Sequence, residues 1–589
     1  MRTVRGHWFP VLVVLIAVST ASAQTLPANV KQTCTVSPTL FKSWFQSGIV
    51  KVDGAVKPAN SITFSNSPNC DFYRWSQQMF LWLTSPAPSN YGSGRVFDSA
   101  AFFDVSSLDS SNHRHFIPHT SGGFGPIPTA TALEAARKAG QVIPKTGDVR
   151  FAKPGPHGFP VAIDRQGRAF EIVPALVSQN TKRQLVLGPA GQRLEVSRVE
   201  VTKDRRAVFF DAAGKQIAQP KAILPPGMNP AKVAQRFFTA QGIPILVTTT
   251  GTVLDVDPGQ AVGNGVLIAQ NGSILFYSIT VNDVFANFLS GAKTGGITPA
   301  PTQFPTSLTD VNKVIAYATS KGRTIVDKEA LAIEVKTSWI DATSLPNANT
   351  YVTARMTIPT FAPTSGQVWT KNGTKTVTAA LLGIHIAGST VGHPEMVWAT
   401  FEHFGNTPNG AYQYVNSANL PQMVVQNTAG TWIVTANNSA GPFNVVRAEY
   451  NLPPDLHSPS TSISIGPSNT IRWKAFGAAF NQQPNPLVSA PASNSDIISI
   501  DLSVINQLLN GDVRKNYYMI GSTWTIGGAA PTGAFPTGNV VGTSFMSNST
   551  METYHQGTNN LNTGLTCFDC HISNQTGVSH IYPPLQPLP

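Results

Sequence analysis

The sequence predicts a mainly β fold with sandwich-like regions, a few helices and a mixed C-terminal segment. Three observations carry this. Charged residues make up 12% of the 589, about half the usual share. The 48 Gly and 45 Pro supply turns for many short strands. Several stretches alternate apolar and polar side chains with the period of a strand. A hydrophobic content of 41% suffices for real cores, and the length calls for two or three structural units.

Residues 1–23 read as a secretory signal peptide. Arg2 and Arg5 precede an apolar run from Val11 to Val18 and a small-residue cleavage site ending at Ala23. The run is shorter than the ~20 residues a membrane-spanning helix needs, so the expectation is an exported chain, periplasmic or secreted, with no transmembrane anchor. The net charge is +11, of which Arg2 and Arg5 carry two. Its cations are scattered, which excludes the focused basic stripe of a nucleic-acid binder.

Residues 24–125 form an N-terminal segment. Phe72, Trp75, Met79, Trp82 and Leu83 recur at helical spacing, an amphipathic stripe that reads as core. Cys34 and Cys70 have no partner at metal-ligand spacing, and in an oxidising compartment they read as a disulfide, worth about 4 kcal/mol on the chain-entropy model. Residues 126–328 read as a β-rich region, in which Ile163–Arg168, Phe210–Lys215 and Ala269–Ser273 are hairpin turns, with one short helix over Ala130–Ala139.

Residues 329–480 read as a second β-rich unit. Ile333, Val335, Thr337 and Trp339 alternate with Glu334, Lys336 and Ser338, the pattern of a half-buried strand. Tyr351–Ile358, Val377–Ile386 and Met396–Phe401 follow as strands. In the mixed segment 481–589, Ile498–Leu509 reads as helix and Tyr517–Trp524 as strand. Ser549-Thr550-Met551-Glu552 is a capping box that predicts a helix leading toward residue 567.

The chemistry concentrates in Cys567-Phe568-Asp569-Cys570-His571. Two thiols three apart can each add to one vinyl group of a haem, and the next residue offers an imidazole to the iron. This points to one covalent haem c on Cys567 and Cys570, with His571 as proximal ligand. A redox dithiol would open a long helix inside a βαβ unit, and a structural zinc site would need a second ligand pair, for which only His555 and His580 are near. Only 18 residues follow His571 and none is Met, so the upstream chain must build the haem's surroundings.

Candidates for the other side of the iron are His385, His403 and Met551, then His393, Met546 and His580. His385 and His403 fall on two strands joined by a short loop, and a hairpin brings both to one face in this reading. Each histidine reads more readily as a hydrogen-bonded core or rim residue than as a ligand, and Met551 as core packing. His113, His115 and His119 form a cluster that reads as a surface loop rather than a metal site, and Asp255 and Asp257 carry only a fragment of a calcium loop.

The stretches Leu381–Ile386, Met396–His403, Tyr517–Trp524 and Asn548–Gln556, together with the C-terminal Cys567–His571 run, resemble a family of large exported bacterial monohaem proteins labelled only as cytochrome c family proteins. The resemblance covers roughly 331–575 and Trp75–Leu83 and falters over 126–328, which reads as an insertion. It implies haem and export and leaves the reaction unassigned. Three functions follow from these readings. One is electron transfer with a periplasmic redox partner. The second is a peroxidase- or oxygenase-like haem enzyme with an open or weakly occupied sixth iron position, for which Trp398 and Phe401 are pocket aromatics. The third is a non-enzymatic binding or sensing module.

Overall fold

The computed structural model describes residues 25–106, 113–119, 265–451, 455–458, 463–477, 490–532, 538–545, 548–554, 556, 566–569, 571, 573 and 575–589, and most of 150–254. The fold is mostly β. Its centre is one antiparallel sheet in the order β2-β1-β3-β4-β6-β7-β8-β9, built from β1 (Phe102–Val105), β2 (Phe116–Pro118), β3 (Phe276–Asn282), β4 (Ile333–Asp341), β6 (Val368–Thr390), β7 (His393–His403), β8 (Tyr517–Thr525) and β9 (Val540–Gly542). β5 (Thr353–Pro363) pairs with the first half of the 23-residue β6, whose second half lies between β4 and β7.

Side chains alternate across a strand, so the sheet has two faces of different character. On one, Val335, Ile384, Ile386, Val397, Ala399 and Phe401 are buried in a single core with Trp75 and Phe80. The latter two lie on α2 (Asn69–Leu83), the helix expected from the aromatic stripe. Phe80 stacks on Phe401 with ring centroids 4.4 Å apart, and Phe72 stacks on Trp524 at 4.0 Å. α5 (Ala490–Ile505) joins this layer, where Gln77 of α2 donates to Asp501 Oδ1 at 2.6 Å. Each large apolar side chain buried here contributes about 1.5–3 kcal/mol. The Cys34–Cys70 disulfide, with Cα atoms 5.3 Å apart, ties the N-terminal strand-like stretch to the first turn of α2.

The other face presents Glu334, Lys336 and Ser338 from β4, Gly383 and His385 from β6, and Trp398, Thr400 and Glu402 from β7, in register. The alternation predicts a half-buried strand with this side wet. That alternation holds from Ile333 to Lys336, where Glu334 and Lys336 are half-buried, while Ser338 is buried because the C-terminal segment lies over it. Thr550 Oγ1 meets Ser338 Oγ at 2.7 Å, Asn548 Nδ2 donates to Thr400 Oγ1 at 2.9 Å, and Ser579 Oγ donates to Glu334 Oε2 at 2.6 Å. A Cβ on Gly383 would sit 2.8 Å from Thr550 Oγ1 and 3.0 Å from Asn548 Nδ2, so glycine is what lets this turn approach the sheet.

Two expectations change. The stretch 126–328, expected to be β-rich with one short helix, also holds α3 (Asp283–Lys293) and α4 (Leu308–Ser320), which follow β3 of the central sheet. Asn282 and Ser307 cap these helices by accepting from Phe285 N and Asp310 N, side-chain caps of the kind that start helices. Residues 150–254 form a separate six-stranded sheet and two small hairpins, and the turns at Phe210–Lys215 and Ala269–Ser273 close as expected. The capping box at 549–552 opens no helix among the described residues. Asn548 Oδ1 accepts from Thr550 N and Met551 N, and Glu552 Oε2 accepts from Asn548 N, closing one turn. Ser549 N is taken by Glu402 instead. The expected helix over Ala130–Ala139 lies outside the described residues. None of the described helices is long and apolar enough to cross a membrane.

Candidate functional site

The C-terminal segment returns across the polar face as a short 3-10 turn, Cys567–Asp569, closed by His571 N donating to Cys567 O at 3.1 Å. Phe568 is buried and meets Trp398 edge-on at 6.0 Å. A second turn, Thr576–Val578, brings the Val578 carbonyl to His571, whose Nδ1 donates to it at 2.6 Å. A carbonyl only accepts, so the proton sits on Nδ1 and Nε2 keeps its lone pair. Burial holds the His571 pKa well below the ordinary range, reinforced by His580, Lys336 and His385, and the ring is neutral. Both of its faces are packed, by His580 at 4.1 Å and by Trp398 at 4.2 Å. An imidazole binds metal through the edge, in the ring plane, so stacking on its faces leaves that role open.

Around His571 lies a half-buried set of titratable groups. His385 Nε2 is inaccessible, makes no hydrogen bond and lies 3.4 Å from Glu552 Oε1. Burial and then the Lys336 charge push its pKa down to about 3. Burial lowers Lys336 to about 8 against the pull of Glu552 and Glu334. Glu334 rises to about 7 by burial, offset by the Ser579 hydrogen bond, Lys336 and Arg114. The cluster therefore mixes neutral imidazoles with acids and a lysine poised near neutrality.

The other candidates go elsewhere. His385 is registered opposite Thr400, and β alternation then puts His403 on the opposite face, so the hairpin does not bring the two histidines together. His403 stacks on Tyr351 at 3.7 Å and its Nδ1 accepts from Gly405 N at 3.0 Å. Met551 is fully buried in an apolar cluster with Tyr277, Ile340 and Leu382. His393 Nδ1 bonds Glu395 Oε1 at 2.8 Å beside Phe72. Cys570, His555, Met546, Asp255 and Asp257 lie outside the described residues. His119 turns inward, its Nδ1 donating to Ser99 O at 3.1 Å and its Nε2 to Asp104 Oδ1 at 2.8 Å. His113 is exposed, and among the described residues no group of three or more His, Cys, Asp or Glu converges on a metal position.

His580, nine residues past His571, folds back and stacks on it. One feature escapes a linear reading. Glu402 and Arg472 form a fully buried pair, with Arg472 Nη2 donating to Glu402 Oε2 at 2.6 Å. Arg472 also bonds Tyr518 and Asn409, while Asn406 Nδ2 (3.0 Å) and Ser549 Oγ (2.6 Å) donate to the carboxylate. This network holds the 548–552 turn on the sheet, and its partners lie 70 and 147 positions apart, beyond any local pattern.

The residues fit a covalent haem on chemical grounds. A metal-binding imidazole characteristically donates its other ring nitrogen to a carbonyl, as His571 does, and Cys567 stands one turn before it. Scans against protein-family models and searches of curated proteins and of solved structures return no match for this chain.

Proposed function

We propose that this chain is an exported monohaem c-type cytochrome that passes electrons to a periplasmic redox partner, with the haem carried by Cys567 and Cys570 and its iron held by His571. The observation that carries this reading is the Cys567–His571 run together with the Val578 carbonyl on His571 Nδ1. The Cys34–Cys70 disulfide supports an oxidising compartment.

Bound at this site, the haem supplies a one-electron couple. The chain's residues do the rest. The Val578 carbonyl fixes the tautomer and orientation of His571 and raises its basicity toward a metal. Trp398, with Phe568 against it, and His580 pack on the imidazole. Glu334, Lys336 and Glu552 set the field at the site, and a buried environment makes that field strong. Glu334, Lys336 and Trp398 are anchored to paired strands, which limits the rearrangement that accompanies a change of charge.

An anaerobic redox titration tests the reading on protein made in a host that attaches haem. The expected result is one reversible one-electron transition. In His571→Ala the haem stays attached while the native spectrum and midpoint potential are lost. Absence of a reversible transition in the native protein contradicts the proposal.

A further inference from the structure

We infer that His385 is the second axial ligand, closing the iron's coordination from the sheet side, an inference that rests on the cytochrome reading above. β6 runs between β4 and β7, so pairing to Lys336 and Thr400 fixes His385 on the face that the C-terminal segment covers. Its Nε2 is inaccessible and makes no hydrogen bond, with Glu552 Oε1 3.4 Å away. A buried imidazole nitrogen left unbonded is costly, and coordination would remove that cost.

The competing residues are committed. His403 lies on the opposite face with its Nδ1 bonded, Met551 is in an apolar core, and His393 is held by Glu395. His580 stacks on the face of the His571 ring, interplanar angle 17°. A ligand opposite His571 must instead lie along the ring plane beyond Nε2.

The test is the absorption spectrum of the holoprotein with and without carbon monoxide, alongside the haem content after denaturation. Native protein is expected to be low-spin in both redox states and indifferent to carbon monoxide. His385→Ala is expected to become high-spin and to bind carbon monoxide when reduced, and added imidazole is expected to restore the low-spin form. His385→Met should stay low-spin with a raised midpoint potential, which keeps the inference testable if the alanine variant folds poorly. His403→Ala and His555→Ala should leave the spectrum unchanged. A high-spin native protein, a His385→Ala that stays low-spin and silent to carbon monoxide, or a His385→Met with native spectrum and potential overturns the inference. Covalent haem with any of those results leaves the cytochrome reading standing, whereas no covalent haem overturns both.

Discussion

The two faces of the central sheet use the same strands for opposite purposes. One buries Val335, Ile384, Ile386 and Phe401 under the aromatic helix α2, a contact that depends on shape and apolar area. The other carries Glu334, Lys336, His385 and Glu402 and is closed by a segment from the end of the chain through directed hydrogen bonds. The difference teaches where a sheet of this kind can keep reactive groups. The apolar side supplies rigidity, and the polar side is affordable only because nearly every group on it has a partner.

The comparison can be broken from either side. Trp75→Ala on the apolar face is expected to have the largest effect, about 3–5 kcal/mol of stability from the cavity left behind. Denaturant unfolding should show it, with the visible spectrum of the folded fraction unchanged. On the polar face, Arg472→Met leaves the Glu402 carboxylate buried without its cation and is expected to cost about 3–5 kcal/mol. The double variant Arg472→Met/Glu402→Gln should recover much of that, and a double variant no better than the single one would show that the charge pairing is not the cause.

Smaller changes sharpen the contrast. Gly383→Ala pushes a methyl group against Thr550 and Asn548 and is expected to cost about 1–3 kcal/mol, read as faster proteolysis of the C-terminal segment with α2 still protected. Smallest is the rim of the sheet, where His119 donates from both ring nitrogens to Ser99 and Asp104. Burial works against its charged form, but the Asp104 hydrogen bond and charge win and raise its pKa. The ion pair therefore adds stability below the unfolded-state pKa of about 6.5, and that contribution fades as pH rises through the higher folded-state value. Stability measured from pH 5 to 9 should fall over that window, and the fall should be smaller in His119→Gln.

Local pattern made much of the fold legible. The stripe of Phe72, Trp75, Met79 and Trp82 foretells α2, and the alternation from Ile333 to Trp339 foretells β4, because both record which side meets a core. The alternation foretells half-buried Glu334 and Lys336 but cannot say that residues 212 and 245 positions later lie over that side and bury Ser338. The same limit explains β3, whose pairing with β1 and β4 joins parts of the chain far apart in sequence. His385 and His403 illustrate a subtler case. Their spacing across the hairpin depends on the register, and Thr400 rather than His403 faces His385. At the site, the cysteines and His571 stand out by their spacing alone, whereas Lys336, Glu552 and the Glu402–Arg472 pair look like ordinary surface charges until the fold encloses them.

The most direct test of the central claim is the mass of the denatured protein, produced in a host that attaches haem and compared with a Cys567→Ala/Cys570→Ala variant. The expected result is one haem retained through denaturation by the native chain and none by the variant. A native chain with the mass of the polypeptide alone would contradict the account and return Cys567, Cys570 and His571 to the dithiol or zinc readings.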